Sequence, residues 1–171
     1  ASYSQKTHGQ LEKQGGMTVV VCPVRPSSRG TIMAHSADPL DRPLIRPNYF
    51  SDPDDIRVMI AGLRQARNIL AQPAFKPYSV EETVPGLENQ SDDDLEKFAR
   101  ENGSIIYHPV STCKMGEDPM SVVDSRLRVH GIQGLRIVDA SIMPTVTTGN
   151  TNAPTIMIAE KASDMILEDI M

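Results

Sequence analysis

The stretch SDPDDIRVMIAGLRQARNILAQP, Ser51 to Pro73, constrains the fold of this chain more than any other. Asp52 has the short acceptor side chain that caps a helix, and Pro53 is tolerated in the first turn, where a missing N–H leaves nothing unpaired. Asp54 and Asp55 fall at the positive end of the aligned peptide dipoles, and Pro73 stops the helix. Between these signals Ile56, Met59, Ile60, Leu63, Ala66 and Leu70 recur at three- and four-residue spacing. One stripe therefore faces a core, with Arg57, Arg64 and Arg67 mostly on the solvated side. A shorter helix is expected in SDDDLEKFAREN, where Ser91 caps and Asp94 stands three residues on. Its aspartate run reads as a helix start in preference to a cation site.

Around these helices the chain alternates between extended runs and breakers. Thr18 to Val21 is β-branched and reads as a buried strand ended by Pro23 and Pro26. A turn and second strand are expected around Thr31 to Ala34. The three prolines of ADPLDRPLIRPNYF then argue for an extended, edge-type path. From Ser104, short strands are expected in SIIYHPVSTCKM, SRLRVHGI and GLRIVDAS, with Gly131 and Gly134 in a turn, and a long apolar helix over 153–169 closes the chain. Helices mixed with non-sequential strands predict an α+β fold.

Bulk properties remove some functions. At 171 residues the chain can bury a real core, roughly 70% of the surface exposed when unfolded. A net charge of -5 with both signs interspersed offers no basic patch for nucleic acid. Two cysteines far apart, no signal peptide and no apolar run of membrane-spanning length lead to the expectation of a reducing, soluble setting.

The chemistry concentrates in two stretches. YHPVSTCKMG, residues 107–116, gathers a histidine, a cysteine, two hydroxyls and a lysine. His108, Cys113 and His130 lack compact zinc-ligand spacing and a fourth ligand. Ser111 or Ser141 with His108 and Asp139 has the residue types of a hydrolase triad, but no G-x-S-x-G turn. Cys113 is either a thiol activated by Lys114 or His108, or a small buried thiol on a strand. The second stretch, VDASIMPTVTTGNTNAPTIM, puts Asp139 at a strand end and five polar side chains around Gly149, ahead of a helix entered through Asn152, Ala153 and Pro154. Such a helix start suits an anion or an electron-rich ring edge, and a plain turn explains it equally well. His35 and His130 read as hydrogen-bonded structural residues and His8 as exposed.

HPVSTCKMG and the later VVDSRLRVHGIQGLRIVDASIMPTVTTGNTNAPTIMIAEKASDMI resemble the carboxy-terminal signature of the glucose-methanol-choline (GMC) flavoprotein oxidoreductases, most like choline dehydrogenase and related FAD-dependent alcohol dehydrogenases. The resemblance is specific from Tyr107 to Asp169 and looser before it. It implies a tether or truncated loop at 1–16, part of a substrate domain with an antiparallel or mixed sheet at 17–106, and at 107–171 the strands and helix that complete the active site and FAD domain. The implied activity is oxidation of an alcohol to an aldehyde or ketone, with hydride passing to FAD. His108 then resembles the catalytic histidine that takes or holds the hydroxyl proton, and Asn150 the residue that hydrogen-bonds the substrate oxygen, as in choline-type members. Asp139 and Ala140 resemble the pair near the ribityl and pyrophosphate region, and Thr151 and Asn152 the backbone that meets the flavin's pyrimidine edge.

The family's dinucleotide fingerprint, G-x-G-x-x-G, is not in this sequence. The chain is therefore expected to be the carboxy-terminal portion of a longer enzyme whose amino-terminal, FAD-binding part is its main partner. Alone it is expected to hold FAD weakly or not at all and to be inactive. The competing reading is a stand-alone binding or interaction domain that has lost the flavin half. For a quaternary ammonium substrate the aromatic candidates are Tyr49, Phe50 and Tyr107. The expected location is cytoplasmic, or membrane-associated through an electron acceptor.

Overall fold

The computed structural model of the protein describes residues 15–79 and 81–170, so the expected tether at 1–16 lies almost wholly outside the described residues. Among those described there are three α-helices and a two-stranded antiparallel sheet: β1 (Thr31–Met33), β2 (Leu44–Arg46), α1 (Pro53–Leu70), α2 (Asp92–Asn102) and α3 (Asn152–Ile170). Short 3-10 turns occupy Pro73–Phe75 and Ala140–Ile142. This is consistent with α+β, with far less sheet than the sequence suggests. The residues form two compact units, one of Asn48–Ser104 with the described residues before Gly30, the other of Gly30–Pro47 with Ile105 onward.

In the first unit the helix signals act as read. The Asp52 side chain accepts from Asp54 N at 2.9 Å, and Ser91 and Asp94 form a reciprocal capping box on α2. Leu95, fully buried, and Ala99 set α2 against α1, whose Ile56 is buried and whose Met59, Ile60 and Leu63 are half-buried. Arg67 departs from its expected solvated position, with a side chain only 19% exposed. Its guanidinium reaches the Glu82 carboxylate at 2.7 Å and the carbonyls of Asn89 (2.9 Å) and Gly86 (3.1 Å). A planar five-donor group satisfied on several sides tolerates that burial.

The strand expected at Thr18–Val21 does not form. Val20 is 72% exposed, and no strand pairs with this run among the described residues. A β-branched run gains its preference for the extended form from side chains packed on a neighbouring strand, and here Val21 lies instead against Gly62 of α1.

Asp55 ties this region down. Its two carboxylate oxygens accept the backbone N–H groups of Ser27 (2.7 Å) and Ser28 (2.8 Å), and the residue is buried. Burial alone would raise its pKa. The Ser28 side chain, the Ser27 and Ser28 amides and Arg29 outweigh burial, and the net shift is downward from 3.8. A depressed carboxyl contributes stability that is present above its unfolded-state pKa and lost as pH falls through the folded value. Asp55→Asn keeps one acceptor oxygen and forfeits the charge, so it should cost about 1 kcal/mol at neutral pH. It should also flatten the acid limb of stability below about pH 4. Urea midpoints of both proteins between pH 2 and 7 would measure it, and parallel curves would discount the carboxylate.

In the second unit β1 and β2 pair with Ile32 opposite Ile45, an exposed hairpin flanked by Pro43 and Pro47 in keeping with the edge-type path. The strands expected in SIIYHPVSTCKM, SRLRVHGI and GLRIVDAS are absent. Only single bridges remain, Met115 to Val123, Val123 to Val129 and Arg128 to Arg136. Left-handed residues at Tyr107, Ser111, Leu127, Gly131 and Gly134 break each run before a ladder can extend. What holds the unit is a small core of Val123, Leu127, Ile142, Met143, Ile158 and Ala162. Ile158 and Ala162 lie one turn apart on α3, so the last helix is docked by a single stripe. Its carboxy-terminal end carries Glu168 and Asp169, which the negative end of the helix disfavours. Arg126 bonds both carboxylates and the Met165 carbonyl, and Arg136 pairs with Asp169. Among the described residues no helix is long and apolar enough to cross a membrane.

Candidate functional site

His108 stands on an irregular segment, not on the strand the sequence suggests. Tyr107 before it and Ser111 after it have φ of 60° and 73°. Such non-glycine residues cost about 1–3 kcal/mol each unless their surroundings hold them. For Ser111 the holding groups are visible. The Ser111 hydroxyl reaches the carbonyls of Met143 (2.8 Å) and Pro144 (2.9 Å), Cys113 N donates to Ser141 O, and Met115 N donates to Ile142 O at 2.8 Å. The segment after His108 is thereby laced to the turn at Ala140–Ile142, whose Ile142 is in the core.

The opposite side of the imidazole meets the TTGNTN loop. Nδ1 of His108 lies 2.9 Å from Thr151 Oγ1, and Nε2 lies 3.0 Å from Asn150 Oδ1. Thr151 is only 7% exposed and Asn150 is exposed, so one ring nitrogen looks into the protein and the other outward. Thr148, a β-branched residue with φ of 56°, bends the loop just before this pair. The Thr151 carbonyl accepts the N–H of Thr155 (3.0 Å) and its hydroxyl (2.7 Å), which fixes Thr151 to the first turn of α3.

The hydrogen bonding limits the chemistry. An amide oxygen only accepts, so Nε2 carries a hydrogen in this arrangement, and Nδ1 accepts the Thr151 hydroxyl in the neutral ring. Turning the Asn150 amide over presents an N–H instead and leaves Nε2 with a lone pair, provided Nδ1 then carries the hydrogen. The pair can therefore take up a proton at Nε2 and steady an oxygen beside it.

Other expectations are redistributed. Asp139 accepts from Ser141 N at 2.7 Å and caps the short turn, while Ala140 packs on the core. Asn152 begins α3, where Pro154 has no N–H to offer. Ser111 and Asp139 are engaged away from His108, so the triad drawn from Ser111, His108 and Asp139 is not assembled. Cys113 is a half-buried free thiol off any strand. Its neighbour Lys114 pairs with Asp118 at 2.8 Å, and that ammonium with the Ser121 hydroxyl holds the Asp118 carboxyl down at about 2. Among the described residues no three His, Cys, Asp or Glu side chains gather to hold a metal. His130 bonds the Gly116 carbonyl at 3.0 Å as expected. His35 lies 3.9 Å from Asp41 with its side chain 58% exposed, more open than a structural histidine should be. Of the aromatic candidates, Phe50 lies beneath Arg100 at 5.7 Å, and Tyr49 and Tyr107 are exposed. Sequence reasoning missed the Thr151 hydroxyl, because a threonine before a helix reads as a cap and nothing local points it at a histidine 43 positions away.

Residues 26–159 match the carboxy-terminal part of the GMC oxidoreductase family. The chain is 49% identical over 166 residues to an alcohol dehydrogenase [acceptor] of Pseudomonas putida, covering 96% of this chain and 30% of that protein. It is 51% identical over 154 residues to an oxygen-dependent choline dehydrogenase of Yersinia pseudotuberculosis, covering 90% of this chain and 27% of that protein. An FAD-dependent oxidoreductase from Chaetomium thermophilum superposes with a TM-score of 0.79 at 31% identity, over 85% of this chain and 26% of that one. The chain thus spans less than a third of the length of these relatives.

Proposed function

The chain belongs to the GMC oxidoreductase family, and from that premise we propose that it is the carboxy-terminal part of an FAD-dependent enzyme that oxidises an alcohol, choline or another, to an aldehyde or ketone. The observation that carries the reading is His108 held between Asn150 and Thr151, one nitrogen turned outward. Residues 17–106 would belong to the substrate side and 107–171 would complete the active site and the FAD domain.

The residues fit the cofactor. The start of α3 offers backbone N–H donors at the positive end of a helix of 19 residues, a donor set suited to an electron-rich ring edge that gains negative charge. Thr151 and Asn152 would supply that backbone, and Asp139 and Ala140 would line the ribityl and pyrophosphate region. FAD, when bound, supplies the hydride acceptor. His108 takes the hydroxyl proton at Nε2, a task matched to an imidazole because it titrates near neutral pH. Asn150, its amide turned to donate, holds the substrate oxygen against that nitrogen. The partners would be the alcohol and the FAD-binding part of the same polypeptide.

The test is the visible spectrum of the full-length protein, recorded without oxygen before and after addition of choline and a panel of primary and secondary alcohols. A flavin band that bleaches with one of them is the expected outcome and begins to name the substrate. A colourless protein unable to take up added FAD would sink the proposal.

A further inference from the structure

We infer that Thr151 is a positioning residue, whose hydroxyl lets His108 carry its hydrogen on Nδ1 and so leaves Nε2 free to accept a proton. The inference deepens the reading of His108 as proton acceptor and rests on it.

Three observations carry it. The Thr151 hydroxyl lies 2.9 Å from Nδ1 on the inward side of the ring, at a residue only 7% exposed. Its backbone is held by the first turn of α3 through both the N–H and the hydroxyl of Thr155, so the oxygen is anchored independently of the imidazole. The outward nitrogen faces an exposed amide that is itself able to present either an acceptor or a donor.

A hydroxyl is the group this position needs, because it both donates and accepts. When Nε2 carries the hydrogen, Thr151 donates to Nδ1. When Nδ1 carries it, Thr151 accepts, and only then has Nε2 a lone pair for the substrate proton. A side chain of the same shape without the oxygen would leave a hydrogen on Nδ1 facing apolar surface, and the neutral ring would settle with its hydrogen on Nε2, the form that cannot act as base. After proton uptake the imidazolium donates from both nitrogens, to Thr151 on one side and to an acceptor on the other.

The experiment uses the full-length protein labelled with [15N]histidine, with the His108 ring signals identified by their loss in H108Q. With the hydroxyl present the ring should exchange between its two neutral forms, and in Thr151→Val the averaged Nδ1 signal should move toward the unprotonated position and Nε2 toward the protonated one. Flavin reduction by the alcohol that bleaches it should slow about tenfold, the worth of one neutral hydrogen bond. Thr151→Ser, which restores the oxygen, should recover most of both effects. Should the valine variant not fold, Thr151→Ala removes the oxygen without its bulk and is read the same way. Ring signals unchanged without the hydroxyl, or a serine variant that fails as the valine variant does, would overturn the inference. An H108A variant that reduces flavin at the wild-type rate would instead remove the reading of His108 as base, and the nitrogen signals, which need no substrate, would still judge Thr151.

Discussion

His108→Ala in the full-length protein should lower the rate of flavin reduction by about 10²–10⁴-fold, the span that general acid–base groups contribute, while leaving the FAD content of the purified protein unchanged. The asymmetry follows from how the residue is held. Its side chain makes two hydrogen bonds, both to neighbours in the TTGNTN loop, and the segment that carries it is fastened separately through Ser111, Cys113 and Met115. Alanine therefore removes the proton acceptor and leaves the segment laced to Ala140–Ile142. Thr151 and Asn150 lose a partner, and Asn150, being exposed, recovers one from water. Anaerobic stopped-flow reduction and the flavin-to-protein absorbance ratio separate the two quantities. If both fall together, the histidine serves the structure and its assignment as base fails. If neither falls, the proton leaves by another route.

The sequence was most legible where a feature is settled within one turn of chain. The caps at Asp52 and Ser91, the stripe on α1 and the apolar run of α3 depend on neighbours three or four residues away, and each stands within a residue or two of where it was expected. The strand expected around Thr31 to Ala34 is present as β1, while those expected at Thr18–Val21 and after Ser104 failed for the opposite reason. An alternating or β-branched run becomes a strand only when another lies beside it, and neither Thr18–Val21 nor the runs after Ser104 have more than isolated bridges. The left-handed residues that interrupt the later runs, Tyr107, Ser111 and Leu127, are of types that give no local warning. At the candidate site, the resemblance implies roles for His108 and Asn150 but not their contact, which lies at 3.0 Å. The Thr151 hydroxyl and the Ser111 anchor could not be read, because both depend on partners more than 30 positions away. Arg67 shows the same limit from the side of charge, since its solvated position on the helical wheel is overridden by Glu82 and two carbonyls brought from a later turn.

The second large effect is on stability and falls at Ile142. Replacing it by alanine should cost about 2–5 kcal/mol, read as a lowered urea midpoint with an unchanged slope. The side chain is 4% exposed among Val123, Leu127, Met143, Ile158 and Ala162, and this cluster is what docks α3. Its backbone is bonded on both sides, N to Asp139 O at 3.3 Å and O to Met115 N at 2.8 Å, so the site cannot collapse freely onto the space left behind. Ile142→Val removes one methylene and should cost about 0.5–1.5 kcal/mol, which makes the pair a graded test of packing against any effect of the backbone. The consequence reaches the site as well. Met143 and Pro144, the two residues after Ile142, supply the carbonyls that hold the left-handed Ser111, and Thr151 enters the helix that Ile142 packs against. Loosening this core should therefore lower flavin reduction in the alanine variant even though Ile142 touches neither His108 nor Asn150. An alanine variant within about 0.5 kcal/mol of the parent, the range of an ordinary surface change, would show that the unit is held by its hydrogen bonds and not by this core.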